Sequence, residues 1–282
     1  MDVNHLFVVG AGAMGRGIAQ VAIQSGVSVT LCDVVQGQVD SAKIGIANSL
    51  TKQVSDGRMS KTDFQTSLAL LHTTTRLQDA ADADIVIEAI VEKLEAKKQV
   101  FAELSEICQK DTVFASNTST ISITGIAAAA TRPERFAGMH FFNPVPSMKL
   151  LEIIPGLETS AETLDIIQNF GKRIQKVTIL AKDSGGFVVN RIFSPMLNAA
   201  VNALDAGLGS REDIDNGLKF GCGHPMGPLA LIDLVGLDVQ LAVMEVLYAE
   251  FGTEYYKPAP LLRRMVAAGH LGRKTGKGFY EY

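Results

Sequence analysis

Cysteine is scarce: Cys32, Cys108 and Cys222 are the three in 282 residues. They are odd in number, far apart and outside CxxC or Cys/His spacing, which excludes a disulfide framework and a zinc site of the usual pattern. Excess positive charge is missing as well. Lys and Arg number 26 against 30 Asp and Glu, giving a net charge of -4 and a pI near 5.8. That balance argues against a nucleic-acid partner, although an anionic substrate remains compatible with local basic sites. Apolar runs long enough to span a bilayer are lacking, so no membrane partner is expected. No charged segment followed by an apolar one precedes the first strand-like run, so no secretory signal is expected either. Free thiols suit a reducing compartment, and the expectation is a cytoplasmic protein. Internal repeats and low-complexity tails are absent. What is present is an ordinary balance of 47% hydrophobic and 20% charged residues, enough for one or two domains with a substantial core.

Short apolar runs alternate with helical patterns through the first two thirds. "HLFVVG" (residues 5–10), "VSVTLCD" (27–33), "DIVIEAI" (84–90), "TVFASNTS" (112–119), "FAGMHFF" (136–142), "LLEIIPG" (150–156) and "KVTILAK" (176–182) read as strands. Helical patterns cover residues 14–25, 92–108 and 161–172. Such alternation predicts a parallel sheet with right-handed crossovers. After "KDSGGFVVNR" (182–191) the pattern turns helical, starting with residues 188–206 and continuing to the end. The fold class expected is α/β: a doubly wound, Rossmann-like sheet over residues 1–184 and an all-α domain over 185–282. Gly185 and Gly186 at the junction suit a hinge.

"VVGAGAMGRG" places Gly10, Gly12 and Gly15 in GxGxxG spacing, with Ala13 and Met14 between them, at a strand-to-helix corner. Gly10 permits a tight turn, Gly12 lets backbone approach a pyrophosphate, and Gly15 lets helix and strand pack closely. An acid, Asp33, ends the second strand. It can accept from a ribose 2′-hydroxyl and would repel a 2′-phosphate, and no arginine follows in "DVVQGQ". NAD is therefore favoured over NADP.

"GMHFFNPVPSMKLLEII" (138–154) holds His140 in one apolar run and Glu152 in the next, joined by a short connection containing Asn143-Pro144. A buried carboxylate without a partner is costly, and adjacent strands would bring the two side chains together. A carboxylate on one ring nitrogen fixes the tautomer and stabilises the imidazolium, leaving the other nitrogen to take a proton. Ahead of them, "ASNTSTISI" (115–123) ends a strand with hydroxyls where ligands of open α/β sheets bind. Ser119 would sit there; the alternative is that Ser116, Thr118 and Ser119 cap the next helix. A dinucleotide corner beside a His–Glu base is equipment for oxidising an alcohol. No metal is implied.

With "GAGAMGRGIAQ", "VIEAIVEKLEAKK", "ASNTSTISI", "RFAGMHFFNPVPSMKLLEII", "KDSGGFVVNRI", "HPMGPLALIDLVGLD" and "GRKTGKGFYEY" in this order, nearly the whole chain resembles the 3-hydroxyacyl-CoA dehydrogenase family. The likeness is greatest to its bacterial short-chain, 3-hydroxybutyryl-CoA branch. The resemblance implies His140 as catalytic base and Glu152 as its orienting acid. It implies Ser119 and Asn190 as contacts to the substrate hydroxyl or thioester carbonyl. It places Glu92, Lys97 and Asn143 near the nicotinamide ribose, and Lys274 on the cofactor side from the helical domain. Residues 36–64 match a helical arm that holds coenzyme A, with Ser49 as a contact and Lys52 one turn on. Relatives carry a further lysine near Asp56, so Lys52, Arg58 and Lys61 remain alternatives for the CoA phosphates.

The activity so implied is reversible, NAD-linked oxidation of short-chain (S)-3-hydroxyacyl-CoA, an acyl-CoA thioester, to 3-oxoacyl-CoA, in either physiological direction. The family also implies a homodimer through the helical half, whose long apolar stretches exceed what a small domain needs inside. The alternatives are another Rossmann hydroxyacid dehydrogenase with a catalytic lysine in its helical domain, or a silent NAD-binding homologue.

Overall fold

The computed structural model describes residues 2–282, which divide into two compact units with the boundary between Asp183 and Ser184. The first unit runs β1 (His5–Val9), α1 (Ala13–Gln24), β2 (Ser28–Cys32), α2 (Gln36–Ser55), α3 (Lys61–Ala69), β3 (Leu71–Thr74), β4 (Ile85–Glu88), α4 (Leu94–Ile107), β5 (Val113–Ser116), α5 (Ile123–Ala127), β6 (Phe136–Phe141), β7 (Leu150–Pro155), α6 (Ala161–Arg173) and β8 (Val177–Leu180). The strands form one sheet in the order β3-β2-β1-β4-β5-β6-β7-β8. The order reverses between β1 and β4, and open α/β sheets leave their ligand crevice at that point.

Both faces of the central strands are covered, which is why they read as unbroken apolar runs. On one face Leu6 and Val8 of β1 share a core with Ile18 of α1, Ile46 of α2 and Ile167 of α6. Strand side chains alternate, so Phe114 and Phe136 point to the other face. There Phe101 of α4 packs on them, with ring centroids 5.7 and 4.6 Å away.

The sheet departs from the expected all-parallel arrangement. β7 runs antiparallel to β6. The cause is the short 142–149 connection, since a parallel return needs a crossover of about a dozen residues or more. β3 is a further strand, unexpected because "LHTT" is short and half polar; it pairs with β2, at the sheet edge. The arm beyond β2 extends past the expected end at residue 64, because α3 continues to Ala69.

The second unit holds α7 (Val189–Asp205), α8 (Arg211–Asn216), α9 (Pro228–Val235), α10 (Leu237–Phe251) and α11 (Pro260–Ala267). The run "PLALIDLVGLDVQLAVMEVLYAEFG" reads as continuous helix but breaks at Gly236, whose φ is +111°. Leu197, Val201, Leu229, Ile232, Leu237 and Leu262 form its core. The C-terminal tail is fastened by the buried Asp233 carboxylate, which accepts the N–H groups of Phe279 and Tyr280 at 2.9 Å each. Among the described residues no helix is long and apolar enough to cross a membrane.

Candidate active site and its relatives

The glycine corner lies at the carboxyl end of β1. Gly10 has φ +102°, and a Cβ there would come within 2.6 Å of the Ala89 carbonyl oxygen; a Cβ on Gly15 would collide with the Gly10 carbonyl oxygen. Gly12 differs. It is exposed, and no protein atom lies within 4 Å of where its Cβ would sit, so internal packing does not explain the glycine. It caps α1 without a side-chain hydrogen bond, and the first turn, with Ala13 and Met14, carries no acid. The helix thus presents N–H groups and the positive end of its dipole to open space, a cradle that fits a pyrophosphate. Asp33, just beyond β2, is held by the Ala11 N–H at 2.9 Å and the Val35 N–H at 3.0 Å. Its carboxylate is thereby fixed beside the corner, where a ribose would lie.

The second cluster sits at the carboxyl ends of β5 and β6. Antiparallel register places His140 directly opposite Glu152, and Nδ1 lies 2.7 Å from a Glu152 carboxylate oxygen. His140 is 5% exposed and Glu152 0%, so the pair is shielded from screening water. The His140 ring also packs on Phe142, centroids 4.4 Å apart. Asn117, just past β5, accepts the Phe141 N–H at 2.9 Å and pins the end of β6.

Ser119 is not on a strand, because β5 ends at Ser116; it lies on the following turn. Capping of α5 falls to Ser122, which accepts the Gly125 N–H, and not to Ser116, Thr118 or Ser119. Glu92 lies ahead of α4 rather than inside it. One of its carboxylate oxygens accepts from the Thr118 hydroxyl at 2.5 Å and the Ser119 N–H at 2.9 Å. Burial pushes the Glu92 carboxyl up, but the Lys97 ammonium, the Thr118 hydroxyl and the Ser119 N–H together hold it below its ordinary value. Lys97 is 1% exposed, with its ammonium 2.7 Å from Glu88 and 3.1 Å from Glu92. Glu88 and Asn117 carry no signature in the sequence, and Ser116, named there among the possible helix caps, instead donates its hydroxyl to Glu88 at 2.6 Å.

Other expected residues of the first unit lie outside this hydrogen-bond network. Asn143 is exposed on the connection after β6. Ser49 and Lys52 line a cavity of about 750 Å³ between the helical arm and the 146–149 segment, together with Arg58, Lys149 and Lys176. Lys61 faces a different hollow. In the second unit Asn190 lies in the first turn of α7, and the Lys274 ammonium is bound by Asp238 at 2.5 Å.

Residues 5–184 match the family model for the 3-hydroxyacyl-CoA dehydrogenase NAD binding domain, and residues 186–282 match the model for the C-terminal domain of 3-hydroxyacyl-CoA dehydrogenase. The chain belongs to this family. It is 48% identical over 277 residues to a 3-hydroxybutyryl-CoA dehydrogenase of Clostridioides difficile, covering 98% of this chain and 99% of that one. A 3-hydroxybutyryl-CoA dehydrogenase of Bradyrhizobium diazoefficiens is 44% identical, with 99% and 96% covered. The crystal structure of (S)-3-hydroxybutyryl-CoA dehydrogenase from Ralstonia eutropha superposes with a TM-score of 0.97 at 46% identity, covering 100% and 99%. This member of the 3-hydroxyacyl-CoA dehydrogenases is therefore an oxidoreductase with NAD as cofactor, and the cradle at Gly12 and the fixed Asp33 carboxylate suit that group.

Proposed function

We propose that the protein interconverts (S)-3-hydroxybutyryl-CoA and acetoacetyl-CoA, using NAD in preference to NADP. The observation that carries the reading is the buried His140–Glu152 pair at 2.7 Å, at the sheet end where this fold binds ligands. A proton on Nδ1 directed at Glu152 leaves Nε2 as the basic nitrogen, so His140 takes the proton of the substrate hydroxyl, or returns it in the reverse direction. NAD held at the Gly10–Gly15 corner would supply the acceptor for the hydride on the carbon bearing that hydroxyl. As the proton arrives, the Glu152 carboxylate stabilises the imidazolium. Ser119 and Asn190 donate to the substrate oxygen, while Glu92, with Lys97 beneath it, Asn143 and Lys274 serve the nicotinamide side. Gly10, Gly12, Ala13, Met14 and Gly15 form the pyrophosphate corner, and Asp33 favours a free ribose hydroxyl over a phosphate.

The CoA handle fits the cavity between the arm and the 146–149 segment. Lys52 and Arg58 supply positive charge on the arm side and Lys149 on the other. A homodimer through the second unit would cover apolar side chains left exposed there, among them Ile192, Leu208 and Phe220. The three free thiols, two of them buried, suit a reducing cytosol.

The test is a spectrophotometric assay of acetoacetyl-CoA with NADH and with NADPH, alongside free acetoacetate with NADH. Rapid turnover of the thioester with NADH, and little in the other two, is expected. Preference for the free acid would overturn the substrate assignment, and equal use of NADPH the role given to Asp33.

A further inference from the structure

Glu88 has no assigned role, yet it is as deeply buried as Glu152. It ends β4, paired with Val9 of β1 on one side and Ser116 of β5 on the other, so it flanks the point where the strand order reverses. It is 0% exposed. One carboxylate oxygen accepts the Ile90 N–H and the Lys97 ammonium, both at 2.7 Å, and the other accepts the Ser116 hydroxyl at 2.6 Å. The rest of β4 is Ile85, Val86 and Ile87. An apolar fourth residue would complete the strand without the desolvation cost of a buried ion pair. Packing alone does not call for a glutamate there.

The ammonium that Glu88 holds is shared. Lys97 reaches Glu92 at 3.1 Å, and Glu92, whose side chain is 38% exposed, would otherwise behave as a mobile surface acid. One Glu92 oxygen is taken by Lys97. The other binds the turn after β5 through the Thr118 hydroxyl and the Ser119 N–H. The Ser119 hydroxyl itself lies 3.4 Å from that oxygen. This geometry fixes the backbone of the turn and leaves the hydroxyl proton able to swing to a ligand.

We propose that Glu88 is a positioning residue: through Lys97 it clamps Glu92, and Glu92 holds the turn that presents Ser119 to the substrate oxygen. The inference rests on the reading of Ser119 as a substrate contact. Preorganised support of this kind is realised in the rate rather than in substrate affinity.

The test is a mutant cycle in kcat for acetoacetyl-CoA reduction at saturating NADH, using E88Q, S119A and the double variant. Gln keeps the volume of Glu88 and removes its charge. We expect E88Q to lower kcat about tenfold in the wild-type background and by less than about twofold in the S119A background, the non-additivity of residues acting in one chain. A merely structural loss would reduce both backgrounds alike, and that outcome, or an unchanged kcat in E88Q, overturns the proposal. If S119A alone turns over at the wild-type rate, the reading of Ser119 fails and the relay fails with it. Should E88Q not fold, as judged by circular dichroism, Lys97→Met severs the chain one link further on and is carried through the same cycle, with the same two outcomes deciding.

Discussion

Replacing Glu152 by Gln isolates what the carboxylate charge contributes to catalysis. The substitution keeps size and an acceptor oxygen, so the neutral imidazole can remain hydrogen-bonded and oriented. What is lost is attraction to the positive ring that forms as the proton is taken up. The heavy atoms are 2.7 Å apart, which places the delocalised charges about 4 Å apart; at an effective dielectric of about 20 that attraction is about 4 kcal/mol. At the lower end, a neutral bond replacing a charge-assisted one costs about 1.4 kcal/mol. E152Q should therefore lower kcat for (S)-3-hydroxybutyryl-CoA oxidation between about tenfold and about 10³-fold. KM in that direction should change little, because the neutral ring of its ground state never feels the missing charge. The assay is initial-rate NADH consumption with acetoacetyl-CoA, paired with NADH formation from (S)-3-hydroxybutyryl-CoA. The equilibrium constant belongs to the substrates, so kcat/KM must fall by the same factor in both directions. A variant within about threefold of wild type in the oxidation kcat, or one altered only in the oxidation KM, would refute the assignment of Glu152 to imidazolium stabilisation.

Four further outcomes are expected. His140→Gln should lower kcat by about 10²–10⁴-fold, the range for loss of a general base, with NADH binding measured by fluorescence titration unchanged. Asp33→Ser should weaken NAD and relax the discrimination against NADP, read as the ratio of kcat/KM for the two cofactors; an unchanged ratio removes Asp33 from that role. The Glu92 carboxyl is held below its ordinary value of 4.5, so its share of stability is full above that pH and is lost as pH falls through the lower, folded value. Glu92→Gln should accordingly flatten the acid side of the Tm–pH curve below about pH 4.5, and a slope identical to wild type would contradict this. Burial pushes the Cys32 and Cys108 thiols up to about 12, with nearby Asp33 and Asp79 adding to the effect at Cys32, whereas Cys222 is exposed. A disulfide reagent at neutral pH should titrate one thiol per native chain and all three after unfolding.

The glycine corner and the His–Glu pair were legible because each carries a local signature: fixed spacing at a strand end, and polar residues where an apolar strand should continue. The direction of β7 was open to the same reasoning, since eight connecting positions cannot hold a crossover helix, but the alternating pattern around it pointed the other way. Glu88 left no such mark. A glutamate closing "DIVIE" looks like the solvated end of a strand, and Lys97 in the following helix looks like a surface lysine. Only the register of β4 between β1 and β5 buries the one, and only the packing of α4 turns the other inward. Gly236 was hidden for a similar reason: apolar residues on both sides continue the pattern through a residue that breaks the backbone.

Because β6 and β7 are hydrogen-bonded neighbours, the distance between base and acid is set by a ladder of backbone bonds and does not depend on the residues that join the strands. The 142–149 connection can therefore change in length or sequence without detaching the proton acceptor from its counter-charge. Apart from Phe142, Asn143 and Lys149, substitutions in that segment can reshape the surroundings of the reacting carbon while the proton chemistry stays intact.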